Sequence, residues 1–526
     1  MPDRGIDRVF ERRLSALVNG GQPQILQGGS KGVEKESLRV TPDGSIAQSP
    51  HPRALGSALT NEHITTDFSE ALIELVTPPF TASWELLQYL LDLHQFVYRH
   101  LGDELLWATS MPCAVEGDEQ IPIAQYGTSN VARMKTVYRR GLSLRYGRMM
   151  QAISGVHFNF SFPMPFWEAY AAMRESHEHG QTFISSSYFD LLRNYRRFGW
   201  IVLYLFGVSP VVCKSFLRGS QGGLAELSGG TLYEPYATSL RMSDLGYRNR
   251  NQAGLAVSVN SLDEYVRDLT RAIMTPHPPY EALGVKNGEY QQLNANILQI
   301  ENEYYSFIRP KRVARSGERP TKALQRAGVE YVEVRALDVS AFDPVGVNQN
   351  KLRFLEAFLA LCLLKESPLL GGSDDEELDR NHLLVARRGR EPGLMLSRDG
   401  RAVSMREWAR ELLDSMTGIC EVLDHGDPVR PYTQALAVQS AKIDDVALTP
   451  SARLMTELRT TGESFFDLAL RTSQTHKAYF LDLYAPNEDR LGECAATATE
   501  SLAKQRAMES AKEGSFEEYL ARYFAK

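Results

Sequence analysis

The chain has 526 residues, of which 43% are apolar and 23% are charged, and its formal net charge is −7. This is an ordinary globular composition, and the length alone predicts two or three domains. The acidic balance and the scattered basic residues argue against nucleic acid as a partner.

The cysteines and the N-terminal segment bear on the compartment. The five cysteines are widely spaced and form no CxxC pair, so we expect neither a disulfide framework nor a zinc site, in keeping with a reducing compartment. The N-terminal segment is too charged for a signal peptide. The apolar run at 354–364 is far shorter than the ~20 residues that span a bilayer. We therefore expect a cytoplasmic protein with no membrane partner.

An amphipathic helix is predicted over residues 4–19 and a strand over 32–40. Because side chains alternate along a strand, Glu34 and Glu36 share one face and lie ~7 Å apart. At an effective dielectric constant near 20, two such charges repel by about 2 kcal/mol. A half-buried strand rarely keeps this cost unless a cation offsets it, so the pattern predicts a carboxylate-lined metal site.

Three further strands carry ionisable groups on a single face. Residues 71–76 place Glu74 opposite apolar neighbours, and 156–162 alternate between apolar residues and the row that contains His157. In 329–339, Tyr331, Glu333, Arg335 and Leu337 share one face. A polar row backed by an apolar row is typical of a sheet that packs helices behind it and lines a cavity in front.

The other predicted elements are mostly helices. They are helices at 83–101, 183–206, 261–274, 349–366, 403–424, 450–483 and 498–524, a strand at 298–308, a Gly/Ser-rich loop at 218–230 and an acidic loop at 371–379. Helices that follow a strand-rich first part indicate an α+β fold. We predict a catalytic core over 1–350 and a helical part over 351–526 that packs on it.

The ionisable rows favour hard cations, Mg²⁺ or Mn²⁺, whose coordination shells are completed by water and phosphate oxygens. No phosphate-binding GxxxxGK[ST] loop is present, so any ATP must be held through metals and arginines. A metal-dependent phosphate-ester hydrolase that uses the same carboxylates and a non-catalytic binding module for a metal or an amino acid stay open.

Long segments of the chain resemble glutamate–cysteine ligases of the proteobacterial type. They are GVEKESLRV, HPRALGSALT, ITTDFSEALIELVTP, SMPC, AQYGTSN, ISGVHFNFS, RNYRRFGW, YATSLRMSDLGY, LQIENEYYSFIRPKR and EYVEVRALD, and they span roughly residues 32 to 345 in family order. The resemblance implies a glutamine synthetase-like core, in which a curved, mainly antiparallel sheet forms a funnel wrapped by helices. It also implies ATP-dependent joining of the γ-carboxylate of glutamate to the amino group of cysteine through a γ-glutamyl phosphate, the first step of glutathione biosynthesis.

The resemblance also implies roles for individual residues. The metal ligands fall on Glu34, Glu36, Asp67, Glu74, His157 and Glu333. Arg335 matches the arginine that contacts the transferred phosphoryl group. Substrate contacts fall on Phe68, Tyr138, Arg139, Leu142, Gln151, Ile153, Arg241, Tyr247 and Tyr305. Asp67 and the substrate pocket enter only through this resemblance.

The resemblance further implies a monomer that is inhibited by glutathione through overlap with the substrate site. It leaves open an acceptor amine other than cysteine, because the thiol is small and weakly polar. The acyl phosphate must be kept from water, so a closing segment is expected, for which 219–230 is one candidate.

Overall fold

The computed structural model describes residues 7–19, 23–115, 117–217, 223–246, 255–315 and 317–525. The strands are β1 Ser30–Val40, β2 Ile64–Thr66, β3 Leu72–Val76, β4 Leu105–Leu106, β5 Gly155–Ser161, β6 Val211–Cys213, β7 Ala225–Ser228, β8 Thr231–Tyr233, β9 Val285–Lys286, β10 Glu289–Tyr290, β11 Ile308–Lys311, β12 Tyr331–Asp338, β13 Met395–Arg398 and β14 Arg401–Ser404. The helices are α1 Arg8–Asn19, α2 Ser83–Tyr98, α3 Asn130–Tyr146, α4 Met164–Met173, α5 Gly180–Phe198, α6 Trp200–Phe206, α7 Leu262–Met274, α8 Pro278–Glu281, α9 Pro320–Ala327, α10 Gln349–Leu364, α11 Gly372–Arg388, α12 Met405–Leu423, α13 Pro431–Asp444, α14 Pro450–Thr461, α15 Phe465–Ala478, α16 Glu488–Ser510 and α17 Phe516–Ala525.

The main sheet is antiparallel and has β1 near its centre. Its strand order is β11-β12-β5-β1-β3-β2, with β4 also paired to β1. Val33, Phe158 and Val334 belong to the buried apolar side of the sheet, against which helices such as α2, α5 and α6 pack. This confirms the predicted α+β fold with an antiparallel sheet wrapped by helices.

Helix α10 lies inside the molecule and is buried along most of its length. The side chain of Asn348 caps its first turn by accepting a hydrogen bond from the backbone N–H of Lys351. The one acidic residue of its apolar run, Glu356, is paired with Lys31 at 2.7 Å and accepts a hydrogen bond from Tyr432. A charge inside this helix is therefore compensated by a strand on one side and a helix on the other.

Four predicted elements are wrong in detail. Most of the predicted strand at 298–308 is a loop with a 3₁₀ turn at Glu301–Glu303, because these glutamates are buried in ion pairs with Arg319 and Arg145. The predicted acidic loop at 371–379 opens helix α11, whose first-turn carboxylates suit the positive end of the helix dipole. The helices predicted at 450–483 and 498–524 are each divided, the former by an αL Gly462.

Strand β12 departs from strict alternation. Its pairing with β5 shifts register between Val334 and Leu337, so Arg335 and Ala336 together face the single position of His157. As a result Leu337 pairs with Val156 and joins the apolar core, where alternation predicted it on the face of Glu333. The bulge lies at the residue for which a catalytic role is expected.

The expectation that the chain contains no disulfide is wrong. Cys113 and Cys213 form a disulfide, although they lie 100 residues apart in the sequence. Spacing along a chain does not reveal such a pairing, because it depends on which loops the fold brings together. The cysteines therefore no longer support the expectation of a reducing compartment.

The Gly/Ser-rich segment is described only in part. Of the predicted loop at 218–230, residues 218–222 lie outside the described part of the chain, while 225–228 form β7. Within the described ranges, no helix combines the length and the apolar character needed to cross a lipid bilayer.

Candidate active site on the polar face of the sheet

A cavity of about 490 Å³ opens on the polar face of the main sheet. The register of the strands explains its lining, because residues directly opposite one another in an antiparallel pair share a face. Glu34 of β1 stands opposite His157 of β5, and Glu36 stands opposite Glu74 of β3. On the other side of β5, Glu333 of β12 stands opposite Asn159. The sheet thus gathers onto one surface side chains that lie up to 300 residues apart.

His157 lies in contact with three of the carboxylates on this face. Its Nδ1 lies 3.1 Å from Glu34 Oε2 and 3.7 Å from Glu333 Oε1, and its Nε2 lies 3.7 Å from Glu36 Oε1. Burial lowers the pKa of His157, and the nearby Arg335 lowers it further, although Glu34 and Glu333 act in the opposite direction. A neutral imidazole at this position can offer a lone pair to a metal ion.

Two of the carboxyl groups have raised pKa values. Burial raises the pKa of Glu36 to about 8, and the negative charge of Asp67 contributes in the same direction. Burial also raises the pKa of Glu74 well above its ordinary value, with further contributions from Glu34 and Asp67. Both shifts arise because ionising all the buried carboxyl groups at once is unfavourable without a cation beside them.

Glu333 behaves in the opposite way. Burial acts to raise its pKa, but Lys311 at 3.6 Å and Arg335 at 3.1 Å hold it well below the ordinary value. Its Oε1 faces these cations, while its Oε2 is buried without a hydrogen-bond partner. An ionised carboxylate with one unsatisfied buried oxygen is well suited to ligate a cation.

The donor set has the chemistry of a divalent-cation site. Ligand atoms of Glu34, Glu74 and His157 all lie within 4.8 Å of one another. Asp67, in the loop between β2 and β3, lines the same cavity and is only partly buried. Carboxylate oxygens with a single imidazole nitrogen suit Mg²⁺ or Mn²⁺ better than a thiolate-binding metal.

Most of the residues predicted to bind substrate line this cavity. They are Phe68, Tyr138, Arg139, Leu142, Gln151 and Tyr305. Ile153 is fully buried in the apolar core beside the cavity and does not line it, and Tyr247 lies outside the described residues.

Arg241 does not line the cavity either, but it is buried directly behind the cavity wall. Its Nη1 lies 3.6 Å from Asp338 Oδ1, and its Nη2 donates a hydrogen bond to the carbonyl of Arg335. The guanidinium lies against Gly155, where an added Cβ would come within 2.0 Å of Nη2. Only glycine therefore fits at this point of β5.

Several residues in the cavity lining or bonded to it were not singled out from the sequence. Asn159 donates a hydrogen bond of 2.9 Å to Glu34, and strand alternation already placed it on the face of His157. Arg309 is a buried cation in the cavity wall. Tyr519 and Tyr523 of α17 also line the cavity. No local pattern reveals them, because they reach the cavity from the last helix of the chain.

Comparison with known proteins agrees with this geometry. The sequence pattern of the family described as glutamate–cysteine ligase matches residues 14–385. The chain is 50% identical to the glutamate–cysteine ligase of Alcanivorax borkumensis over 98% of this chain and 99% of that protein. It is 47% identical to the glutamate–cysteine ligase of Pseudomonas putida over 98% of both.

A solved structure gives the same result. The crystal structure of the glutamate–cysteine ligase of Francisella tularensis in complex with AMP matches with a TM-score of 0.89 at 38% identity, over 95% of this chain and 98% of that one. The fold and these relatives define the chain as a ligase. Within this class, the chain belongs to the glutamate–cysteine ligase family.

Proposed function

We propose that this chain is an ATP-dependent ligase that joins the γ-carboxylate of L-glutamate to the amino group of L-cysteine. The observation that carries the proposal is one cavity in which buried carboxylates, His157 and Arg335 meet, in a chain that matches glutamate–cysteine ligases over nearly its full length. The γ-phosphoryl group of ATP is transferred to the γ-carboxylate of glutamate, and ADP is released. The amine of cysteine then forms the C–N bond as phosphate departs. The product, γ-glutamylcysteine, is the first intermediate of glutathione synthesis.

The residues that would hold Mg²⁺ or Mn²⁺ are the six predicted ligands, Glu34, Glu36, Asp67, Glu74, His157 and Glu333. When bound, such ions neutralise phosphate oxygens that would otherwise repel the attacking carboxylate. The raised pKa of Glu36 and the unsatisfied Oε2 of Glu333 support this assignment, because both are relieved by a nearby positive charge.

Arg335 supplies a fixed positive charge beside the metal ligands. Burial acts to lower its pKa, but Glu333 raises it above the ordinary value, so the guanidinium is charged at any working pH. Its Nη1 donates to Glu333 at 3.1 Å, and its Nε is buried without a partner. A planar guanidinium with spare donors suits the oxygens of a phosphoryl group in transfer.

The wall opposite the metal ligands is the proposed cysteine pocket. Phe68, Tyr138 and Tyr305 give it an aromatic lining, and Gln151 offers an amide. Arg139 is held by the backbone carbonyl of Asp67, to which its Nε donates, so its guanidinium is oriented from the same loop that carries a proposed ligand. This arrangement of an aromatic wall and a fixed cation suits an amino acid with a free carboxylate.

The experiment that tests the proposal measures ADP release with Mg²⁺, glutamate and cysteine, each omitted in turn. We expect release to require all three, and γ-glutamylcysteine to form in equal amount. Release of phosphate that is independent of glutamate would instead indicate a phosphate-ester hydrolase. Steady-state kinetics with cysteine, 2-aminobutyrate, alanine and ammonia then test the acceptor, and a preference for ammonia would contradict cysteine.

Further properties are also proposals. Inhibition by glutathione follows if its γ-glutamyl and cysteinyl parts occupy the pockets of both substrates. The monomeric state, the cytoplasmic location and the division into a core over 1–350 and a dependent helical part over 351–526 rest on the family resemblance and the composition. Inhibition kinetics test the first of these properties, and sedimentation tests the monomeric state.

A further inference from the structure

A second cavity, also of about 490 Å³, lies outside the candidate active site and shares no lining residue with it. It is formed by the loop that follows β12, the start of α10, the end of α13 and the start of α14. Its lining residues are Ser340, Phe342, Asp343, Asn348, Asn350, Lys351, Val438, Gln439, Ala441, Lys442, Leu448, Pro450 and Arg453.

The charge of this lining is unbalanced. Lys351, Lys442 and Arg453 contribute three positive charges, and Asp343 is the one carboxylate among the lining residues. Asp343 forms an ion pair with Lys351, in which the Nζ of Lys351 lies 3.2 Å from the Oδ2 of Asp343. Two basic side chains, Lys442 and Arg453, therefore remain without a matching carboxylate in the cavity wall.

Lys442 is the most informative of the three. It is only 8% exposed, and its Nζ donates to the carbonyl of Leu205 at 2.8 Å and to Gln439 Oε1 at 2.7 Å. Among the described residues, no carboxylate lies within ion-pair distance of it. Burial lowers the pKa of Lys442 to about 7, and Lys351 and Arg453 contribute to this shift. A buried ammonium that has only neutral acceptors is costly unless an anion joins it.

The backbone adds to the positive potential. The N-termini of α10 and α14, which have 16 and 12 residues, both begin at the cavity wall. The amino end of a helix carries a partial positive charge and favours anions. Two helix ends and three cationic side chains therefore act on the same space.

Part of the cavity lining is apolar. The guanidinium of Arg453 lies 4.2 Å from the ring centroid of Phe342, a cation–π contact that orients this exposed arginine. Val438, Leu448 and Ala441 complete the apolar part. The lining thus offers basic side chains for a charged head group and apolar side chains for an uncharged body, and the cavity volume suits a small metabolite.

We propose that this cavity binds a small organic oxyanion, with its phosphate or paired carboxylates at Lys442 and Arg453 and its body against the apolar part of the lining. The site is distinct from the proposed ligase site, and the proposal does not depend on the ligase activity.

The test is a thermal-shift titration of the full-length chain. The probes are inorganic phosphate, glycerol 3-phosphate and malate, each compared with sodium chloride at matched ionic strength. The variants are Arg453→Gln and Lys442→Gln, and Lys504→Gln on α16 is the control, because it removes the same charge from an exposed side chain outside both cavities. Phosphate can also bind in the cavity of the candidate active site, called the sheet cavity below. The readout is therefore the difference in thermal stabilisation between wild type and variants.

We expect at least one probe to stabilise the wild type beyond chloride, with an apparent Kd that rises about tenfold or more in Arg453→Gln and is unchanged in Lys504→Gln. Stabilisation by the two phosphates alone assigns a phosphate head group, and stabilisation by malate alone assigns paired carboxylates. If Lys442→Gln does not fold, Arg453→Gln decides, because its side chain is exposed. Identical titrations in wild type and Arg453→Gln, or no effect beyond chloride, would overturn the proposal.

Discussion

The two cavities described above concentrate charge of opposite sign by different means. In the sheet cavity, the carboxylates of β1, β3 and β12 are aligned by strand register, and each occupies one position of an alternating row. In the helical cavity, the cations come from the starts of two helices and the end of a third. The comparison teaches that a sheet can place like charges at fixed spacing, whereas a helical layer gathers them through tertiary packing alone.

Both cavities also leave a charge imbalance that a ligand can relieve. Glu36 and Lys442 each have a pKa displaced towards the neutral form, in opposite directions, and burial is the first cause of both displacements. We therefore expect divalent cations to bind and stabilise the sheet cavity, and oxyanions to bind and stabilise the helical cavity. The following predictions test this difference, from the largest expected effect to the smallest.

The largest effect is expected from Glu74→Gln. Glutamine mimics the protonated carboxyl that burial and Glu34 favour, so the free energy of unfolding should stay the same or rise. Loss of a metal ligand should remove about 4 kcal/mol of transition-state stabilisation, or roughly a 10³-fold loss of ADP release. The control is Glu330→Gln, an exposed glutamate that lies outside both cavities. Activity near that of the wild type would argue against a ligand role for Glu74.

The next effect is expected from Arg335→Lys. Lysine keeps the charge but loses the planar, bidentate donor set, so kcat should fall by about 10²-fold with a smaller change in the KM for glutamate. Arg312→Lys is the control, because Arg312 bonds the carbonyls of Ala327 and Gly328 outside the cavity. A change confined to KM would show that Arg335 binds the ground state and not the phosphoryl group in transfer.

Removal of metal should separate the two cavities. At a Mg²⁺ or Mn²⁺ concentration a hundred times Kd, the free energy of unfolding should rise by about 2.7 kcal/mol over the value in EDTA. Glu34→Gln should abolish most of this increase, and Arg453→Gln should leave it intact. Denaturant unfolding monitored by circular dichroism measures both, and equal stabilisation in all three proteins would place the cation elsewhere.

The smallest effect concerns pH and Lys442. Its pKa is about 7 in the folded chain, against an ordinary value of 10.5, owing to burial and to Lys351 and Arg453, with Asp343 opposing them. Between these two values the unfolded chain binds more protons, so the contribution of Lys442 to stability rises with pH. Wild type should therefore gain up to about 1.4 kcal/mol per pH unit relative to Lys442→Met from pH 7 to 9. Parallel pH profiles of the two proteins would contradict the shift.

Alternation along strands made much of the fold predictable. It placed Glu34 and Glu36 on one face of their strand, and Glu74, His157 and Glu333 in polar rows of three others. The structure brings all five into one cavity. The α+β class followed from the change to helices after about residue 350. Both signals are local, so a single sequence contains them.

The parts that were not predictable depend on distant contacts. Asp67 lies in a loop and has no period, so only the resemblance singled it out. The segment around Glu301 has the sequence pattern of a strand but forms a loop, because Glu301 is buried in an ion pair with Arg319. The sequence does not reveal this partner. The Cys113–Cys213 disulfide, the bulge at Arg335 and the approach of Tyr519 to the cavity are likewise consequences of tertiary packing.

The most direct test of the central claim, that the sheet carboxylates form a divalent-cation site, is a Mn²⁺ titration followed by electron paramagnetic resonance. The free-ion signal is measured for wild type, Glu34→Gln and Glu333→Gln, with Glu330→Gln as the control. We predict tight binding in wild type and in the control, and a Kd at least about tenfold weaker in the other two variants. Equal Mn²⁺ affinity in all four proteins would contradict the claim.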